Sequence, residues 1–591
     1  MKQFFKMMFA SALGVFLAIG LVILILTFGM IGMVASMSSQ SEFVPAKNSV
    51  FKLSLNGELT ETSADNPYAQ FFGQEQGLSV KDIVKSIRAA KENKNVKGIY
   101  LESGVLFSAG IPSIDAIRRE LIDFKESGKF IVAYSDNYTQ GAYYLCSVAD
   151  KIFVNPKGSV LVDGLSSQIT FYKGLLNKIG VEMEIFKVGT YKGAVEPYML
   201  DKLSDANREQ ITSYQQSIWR NITKAIAGSR NITQQAINDF ADNGYFYAAT
   251  EKAVEVGLVD ELKYRPEAEE YVKEQAGQKG DKLKVASLDK MKNIKVSTRK
   301  SSNEVAILYA EGNIQNKVLS SLAGNNVGIT DDMVDALIKL RKDDKVKAVV
   351  FRVNSRGGDA YLSEQIWHEV VELKKVKPIV VSMSDYAASG GYYISCAANK
   401  IIAEPNTLTG SIGIFGSIPN FSGLYKKLDL TIDEVKTNTF GGFLDVNRPW
   451  RDDERALMQA NIERGYDLFI TRCADGRGKT KEEIDQIGQG RVWTGEQALE
   501  RGLVDVLGGL DEAIVAAAEL AEVTDYQVTN VFGNKDFFQQ FFEKQLENVK
   551  VSVVKSVIGE EEFNHLQALN EFKRNTGILA RIPYEFELAP L

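Results

Sequence analysis

"PIVVSMSDYAASGGYYISCAANKIIAEP", residues 378–405, has an earlier counterpart in "FIVAYSDNYTQGAYYLCSVADKIFVNP", residues 130–156. Both pass from a Val/Ile-rich run through a YY pair to a Lys-Ile segment that ends at proline. The likeness extends outward in both directions. Upstream, "KNVKGIYLES" (94–103) matches "DKVKAVVFRV" (344–353), and "VFKLSLNGEL" (50–59) matches "EVAILYAEGN" (304–313). Downstream, "AVEVGLVDEL" (253–262) matches "ALERGLVDVL" (498–507). Matched segments in constant order, roughly 250 residues apart, indicate a duplicated domain. A Lys-rich, Gly- and Ser-dotted junction lies near 275–303. Within each half, short apolar runs alternate with amphipathic patterns such as "SIDAIRRELIDFKESG" and "LSEQIWHEVVELKKV". That alternation predicts βαβ units around a buried parallel sheet, an α/β fold in each half.

Composition narrows the function classes. The 591 residues are 45% apolar and 25% charged, ordinary globular values. A net charge of −7 argues against a nucleic-acid partner. Cys146, Cys396 and Cys473 are too few and too irregular for a disulfide framework or a zinc site. No metal site and no cofactor is expected. The N-terminus differs from the rest: no charged residue occurs from Met7 to Ser41, and "FLAIGLVILILTFGMIGMVA" (16–35) is long enough to cross a bilayer as a helix. Lys2 and Lys6 precede it, so the positive-inside bias places the N-terminus in the cytoplasm and the bulk of the chain on the other side. The expected organisation is a cytoplasmic stub and transmembrane anchor over 1–41, a first domain over 42–300, a second over 301–530 and a helical tail over 531–591.

The small residues of "YAASGGYY" raise the question of a nucleophile. A serine needs a positioned base, and the chain holds only two histidines. His368 falls mid-helix in "EQIWHEVVEL" and His565 in the tail, so a Ser-His-Asp triad is not expected. Lysine serves if burial drives it neutral. The position matching Ser389 in the first half is Gln140. The first half carries "EIFKVGTYKGAVEPY" (184–198), with Lys192 between small residues, whereas the second half has Gly441 at the matching place. Complementary loss points to one Ser389–Lys192 dyad assembled from both halves. Taken singly, each signal has a plainer explanation: Ser389 as a helix N-cap, Lys192 as a solvated surface group. "VVFRVNSRGGDAYLSEQ" (349–365) ends a strand at Gly357-Gly358 before a helix begins, which suits oxyanion donors. A backbone N–H of Gly357 or Gly358, with that of Gly390, would form the hole. The first half reads "YLESGVLFSAGIPS" there and lacks the Gly pair.

Together, "RVNSRGGDAYLSE", "SMSDYAASGGYYISCAANKIIAEPNTLTGSIGIFG", "VGTYKGAVEP" and "GRVWTGEQALERGLVD" resemble the signal peptide peptidase A (protease IV) family in its long, duplicated form. The resemblance covers nearly all of 1–530. It implies a crotonase-like (Clp protease-type) fold in each half and a membrane-anchored serine endopeptidase with Ser389 as nucleophile and Lys192 as general base. It also implies that Ser411, in "LTGSIG", helps orient the lysine. Arg356 stands where the family's S-P-G-G turn has proline. The implied substrates are signal-peptide remnants and other short apolar peptides, bound by strand addition. The implied setting is the bacterial inner membrane, with a single lipid-embedded helix, the large domain outside the cytoplasm and assembly into a tetramer. Tyr392, Ile412 and Ile414 flank the site and are expected to be core. Two rival classes remain at this point: an acyl-CoA enzyme of the crotonase superfamily, and a catalytically inactive membrane scaffold.

Overall fold

Each half is built on parallel strands buried on both faces, as near-continuous apolar runs require. The computed structural model describes residues 43–62, 77–107, 109–294, 300–316, 328–532 and 577–581, together with Lys6, Gly14, Gly20 and Leu21. Most of the expected anchor therefore lies outside the described residues, among which no helix is long and apolar enough to cross a membrane.

In the first half, strand Ser49–Thr60 pairs with Val96–Phe107, which pairs with Phe130–Tyr138, which pairs with Lys151–Val160, all parallel. The second half repeats the order: Glu304–Glu311, Val346–Ser355, Ile379–Ala388, Lys400–Ala403. Three of the four matched segments thus supply these four strands in each half, the longest contributing two, and the fourth segment ends in a further short strand, Glu261–Leu262 or Val506–Leu507, beside the last of them. Helices close the faces in the same pattern: Ile111–Lys125 corresponds to Ala360–Lys374, and Asp205–Arg230 to Asp452–Arg477. Each half has its own large apolar core.

The halves meet across a polar, buried seam. Arg352 donates to both carboxylate oxygens of Glu61, and Ser384 Oγ donates to Glu61 Oε2 at 2.6 Å. Ser113 donates to Asp385 through both its backbone N and its Oγ, each at 2.8 Å. Glu311 Oε1 accepts from Glu61 N at 3.1 Å. A Cβ on Gly110 would stand 2.2 Å from Asp385 Cγ, so a larger residue there would push the halves apart.

One strand ignores the boundary between halves. Glu182–Lys187 leaves the first half and pairs antiparallel with Phe415–Asn420 of the second. The resulting four-stranded sheet runs Gly357–Asp359, Gly577–Arg581, Phe415–Asn420, Glu182–Lys187. Two expectations need correction here. Residues 577–581, assigned from sequence to a helical tail, form a strand, because two free strand edges flank it and satisfy its main chain. The stretch near 275–303 is not wholly a junction: Val285–Ser287 returns to the first sheet and pairs with Val50–Lys52. Val531 and Phe532, at the start of the expected tail, close the strand Gln527–Phe532, and residues 533–576 and 582–591, with His565, lie outside the described residues.

Candidate active site

Ser389 ends strand Ile379–Ala388 and precedes the single helical turn Gly390–Tyr393. Its backbone sits at φ +55°, ψ −114°, a conformation that non-glycine residues rarely adopt and that is characteristically held under tertiary constraint at functional sites. The constraint is visible: Ser389 N donates to Gly410 O at 2.8 Å, and Tyr393 N to Ser389 O at 2.8 Å. The adjacent glycines are there for clearance. A Cβ on Gly391 would stand 2.6 Å from Ser355 O, and one on Gly390 2.8 Å from Ser363 Oγ. The serine side chain caps nothing, since no side-chain cap bond forms at this turn.

Lys192 arrives from the other half. It follows the crossing strand Glu182–Lys187 by five residues, within the loop that leads to the turn Gly193–Val195. That loop is clamped onto the second half: Tyr191 N donates to Gln489 O at 2.9 Å, and Gln210 Nε2 donates to Tyr191 O at 2.8 Å while Gln210 Oε1 accepts from Val492 N at 3.0 Å. Two glycines wall the aliphatic stem. A Cβ on Gly490 would stand 2.7 Å from Lys192 Cβ, and one on Gly413 3.2 Å from Lys192 Cδ.

At the end of the stem, Lys192 Nζ lies 2.8 Å from Ser389 Oγ, 3.1 Å from Ser411 Oγ and 3.2 Å from Ser411 O. Ser389, Lys192 and Ser411 are all fully buried. Among the described residues no carboxylate hydrogen-bonds the amine. Burial therefore pushes the Lys192 ammonium well below the usual lysine range. A neutral amine has two hydrogens and one lone pair. The carbonyl and hydroxyl oxygens of Ser411 take the hydrogens, which leaves the lone pair for the Ser389 hydroxyl proton.

The donor set differs from the one expected at a helix start. Helix Ala360–Lys374 is capped by Asp359, whose Oδ1 accepts from Leu362 N at 2.7 Å. Gly357–Asp359 is instead a short strand. Gly357 N donates to Ser355 Oγ at 3.1 Å, while Gly357 O and Asp359 N are both engaged by Ile314. Alternation along a strand then turns the N–H and C=O of Gly358 to the opposite side. A Cβ on Gly390 would stand 3.1 Å from Gly358 N, so that amide and the first N–H of the helical turn border one space beside Ser389. Gly358 has no room for a side chain, since its Cβ would come within 1.9 Å of Ile314 O.

The first half lacks this apparatus. Gln140 is buried where Ser389 would be, and its amide is consumed by the main chain of Asp163 and Gly164. Strand Val96–Phe107 stays paired with Ser49–Thr60 to its last residue, Phe107, which the alignment of the halves sets opposite Gly357. Gly441 lies in a separate loop, where its Cβ would approach Lys436 and Asn438. His368 is exposed on its helix, and Tyr392, Ile412 and Ile414 are core residues. Gly413 and Gly490 were legible only as glycines inside the strings "TGSIGIFG" and "GRVW"; their service to the lysine depends on tertiary contact.

Comparison with known proteins falls in the same place. The family model described as Peptidase family S49 matches residues 123–279 and 371–524, once in each half. "Protease 4" of Salmonella typhi is 37% identical over 77% of this chain and 74% of its own length. "Serine protease SPPA, chloroplastic" of Arabidopsis thaliana is 31% identical over 81% of this chain and 70% of its own length. A solved ClpP1 from Listeria monocytogenes, 17% identical, overlays 36% of this chain and 95% of its own with a TM-score of 0.23, too loose an overlap to define the fold.

Proposed function

Because this chain belongs to peptidase family S49 and is a serine peptidase, we propose that its reaction is carried by a Ser389–Lys192 dyad formed within one polypeptide. The observation that carries this reading is the 2.8 Å contact between Lys192 Nζ and Ser389 Oγ inside a fully buried site. Ser389 Oγ attacks the scissile carbonyl carbon as Lys192 takes its proton. The charge that develops on the carbonyl oxygen is met by the N–H groups of Gly358 and Gly390. Lys192, now an ammonium in a site that disfavours charge, returns the proton to the departing amine, which leaves an acyl-enzyme on Ser389. Water, deprotonated by the same amine, then releases the acyl group. Ser411 holds the amine by two contacts throughout and so sets its lone-pair direction. Gly357, whose N–H is spent on Ser355, shapes the turn.

The duplicated α/β halves and the family relationship support a crotonase-like (Clp protease-type) fold in each. Neither the acyl-CoA nor the scaffold alternative accounts for a buried serine and lysine in contact. The apolar run 16–35, flanked by Lys2 and Lys6, supports a single membrane anchor with the large domain outside the cytoplasm of a bacterium. Short apolar peptides, among them signal-peptide remnants, are the fitting substrates for such a site, and a tetramer is the proposed assembly. Treatment with a serine-directed fluorophosphonate is the test. Wild-type protein should be labelled at Ser389, and Ser389→Ala should lose both label and peptide-ester turnover while remaining folded. Turnover that survives in Ser389→Ala would end the dyad reading. Protease added to spheroplasts should digest the large domain without lysis; complete protection would reverse the proposed orientation.

A further inference from the structure

Two residues place the Lys192 amine: its chain neighbour Tyr191, and Ser411, which takes its hydrogens. Arg491 holds both. Its carbonyl accepts from Ser411 N at 2.7 Å. Ser411 sits at φ +49°, a left-handed backbone that a serine keeps only under constraint, so this bond fixes how its carbonyl and hydroxyl face the amine. The Arg491 side chain reaches out of the second half. Its Nη1 donates to Tyr191 Oη at 3.0 Å and its Nη2 to Glu209 Oε1 at 2.6 Å, both residues of the first half. The guanidinium also lies against two rings, 4.6 Å from the centre of Tyr191 and 4.2 Å from that of Trp493. A planar cation with donors along its edge bonds and stacks at once, which an ammonium does not. Only 18% of the side chain is exposed. Counted back from the matched segments "ALERGLVDVL" and "AVEVGLVDEL", Arg491 falls opposite Phe246. The half that carries Gln140 in place of Ser389 thus carries no arginine here either.

We propose that Arg491 is a positioning residue for the proton transfer: it holds the Lys192 lone pair on Ser389 Oγ by fixing Tyr191 with its side chain and Ser411 with its main chain. The inference rests on the dyad reading above. The Glu209 carboxylate answers the guanidinium charge, so the part played by Arg491 is geometric. The bond from Tyr191 N to Gln489 O survives removal of the side chain, which keeps the loop on the second half. What is lost is the anchor of the Tyr191 ring. The loop then pivots at Gln489, and the amine at the end of the lysine stem drifts from a starting distance of 2.8 Å to Ser389 Oγ. A drift of about 1 Å at a catalytic group costs on the order of a hundredfold in rate.

Steady-state kinetics on a peptide ester tests this. Arg491→Met keeps the aliphatic stem and removes the charge and the donors. Its kcat should fall roughly ten- to hundredfold, the worth of one charge-assisted hydrogen bond. KM should hold, because Arg491 belongs to neither strand edge, Gly357–Asp359 or Phe415–Asn420, that would take a peptide. The loosened loop admits water to the amine, so the kcat/KM profile should move to higher pH. Arg501→Met is the control. Arg501 lies on the same Trp493, 3.8 Å from the ring centre, but its hydrogen bonds go to Gln497 and Glu500. That variant should keep wild-type kcat, KM and pH profile. Wild-type kcat in Arg491→Met, or a lower kcat with an unmoved pH profile, overturns the positioning role and leaves the dyad standing. An equal loss in Arg501→Met does the same. Turnover that survives in Lys192→Ala overturns the dyad and this inference together. Should Arg491→Met fail to fold by circular dichroism, Tyr191→Phe removes only the hydroxyl that accepts from Arg491. It should lower kcat roughly tenfold with the same shift in pH, and a wild-type profile there overturns the inference.

Discussion

Gly490 touches neither the reacting atoms nor, by the proposed chemistry, the substrate, yet replacing it with alanine should disable the base. The residue has φ +77°, and its missing Cβ would stand 2.7 Å from Lys192 Cβ and 2.8 Å from Lys192 Cα and N. An alanine held in the left-handed region costs about 1–2 kcal/mol by itself. The clash adds a displacement: non-bonded carbons rest ~3.5–4.0 Å apart, so the lysine backbone must move away by roughly 1 Å. A misplacement of about 1 Å at a catalytic group costs on the order of a hundredfold in rate. Lys192 Nζ begins 2.8 Å from Ser389 Oγ, so that shift leaves the amine short of hydrogen-bond reach. The movement also opens the wall of the lysine site to water. Because burial is what depresses the amine, hydration moves it back toward ordinary lysine and the activity profile moves to higher pH. Turnover of a peptide ester by purified Gly490→Ala should thus fall about a hundredfold at neutral pH and recover partly in alkali, with thermal unfolding lowered by the modest strain term. Wild-type turnover with an unchanged pH profile would refute the claim that this glycine positions the base.

Three further outcomes follow from the same geometry. Lys192→Arg puts a permanent cation where the neutral amine stood and removes the base, since guanidinium does not deprotonate in proteins; it should inactivate as fully as Lys192→Ala, and the Ser389→Ala/Lys192→Ala pair should cost little more than either alone in kcat measurements. Arg352→Met leaves Glu61 buried without its countercharge and should cost about 3–5 kcal/mol in urea unfolding, part of which Glu61→Leu in the same chain should restore. At the seam, burial and the neighbouring Glu61 raise the Glu311 carboxyl to about 7. The folded chain then binds a proton that the unfolded chain releases above the ordinary glutamate range, so this contribution to stability is lost as pH rises through that value. Unfolding free energy should drop by about 1 kcal/mol between pH 6 and pH 8 through this group, and Glu311→Gln should flatten that slope.

The duplication, the parallel α/β halves and the side-chain exchanges between them were legible in the sequence. These rest on properties that neighbouring residues carry together. Continuous apolar runs such as "VKAVVFRV" specify strands buried on both faces, and the exchange of Ser389 for Gln140 and of Lys192 for Gly441 is visible once the halves are aligned. What joins them was not legible. Lys192 and Ser389 lie 197 residues apart, and their meeting depends on Glu182–Lys187 pairing with Phe415–Asn420 across the boundary between halves. Strand edges recognise each other through main-chain N–H and C=O groups, which every extended segment offers alike, so the sequence carries no mark of the partner. The same reason hid the strand Gly577–Arg581 within what read as a helical tail. It also left open whether Gly357 or Gly358 would aim its amide at the site. That choice was decided by Ile314, which takes Gly357 O and Asp359 N and so turns Gly358 the other way.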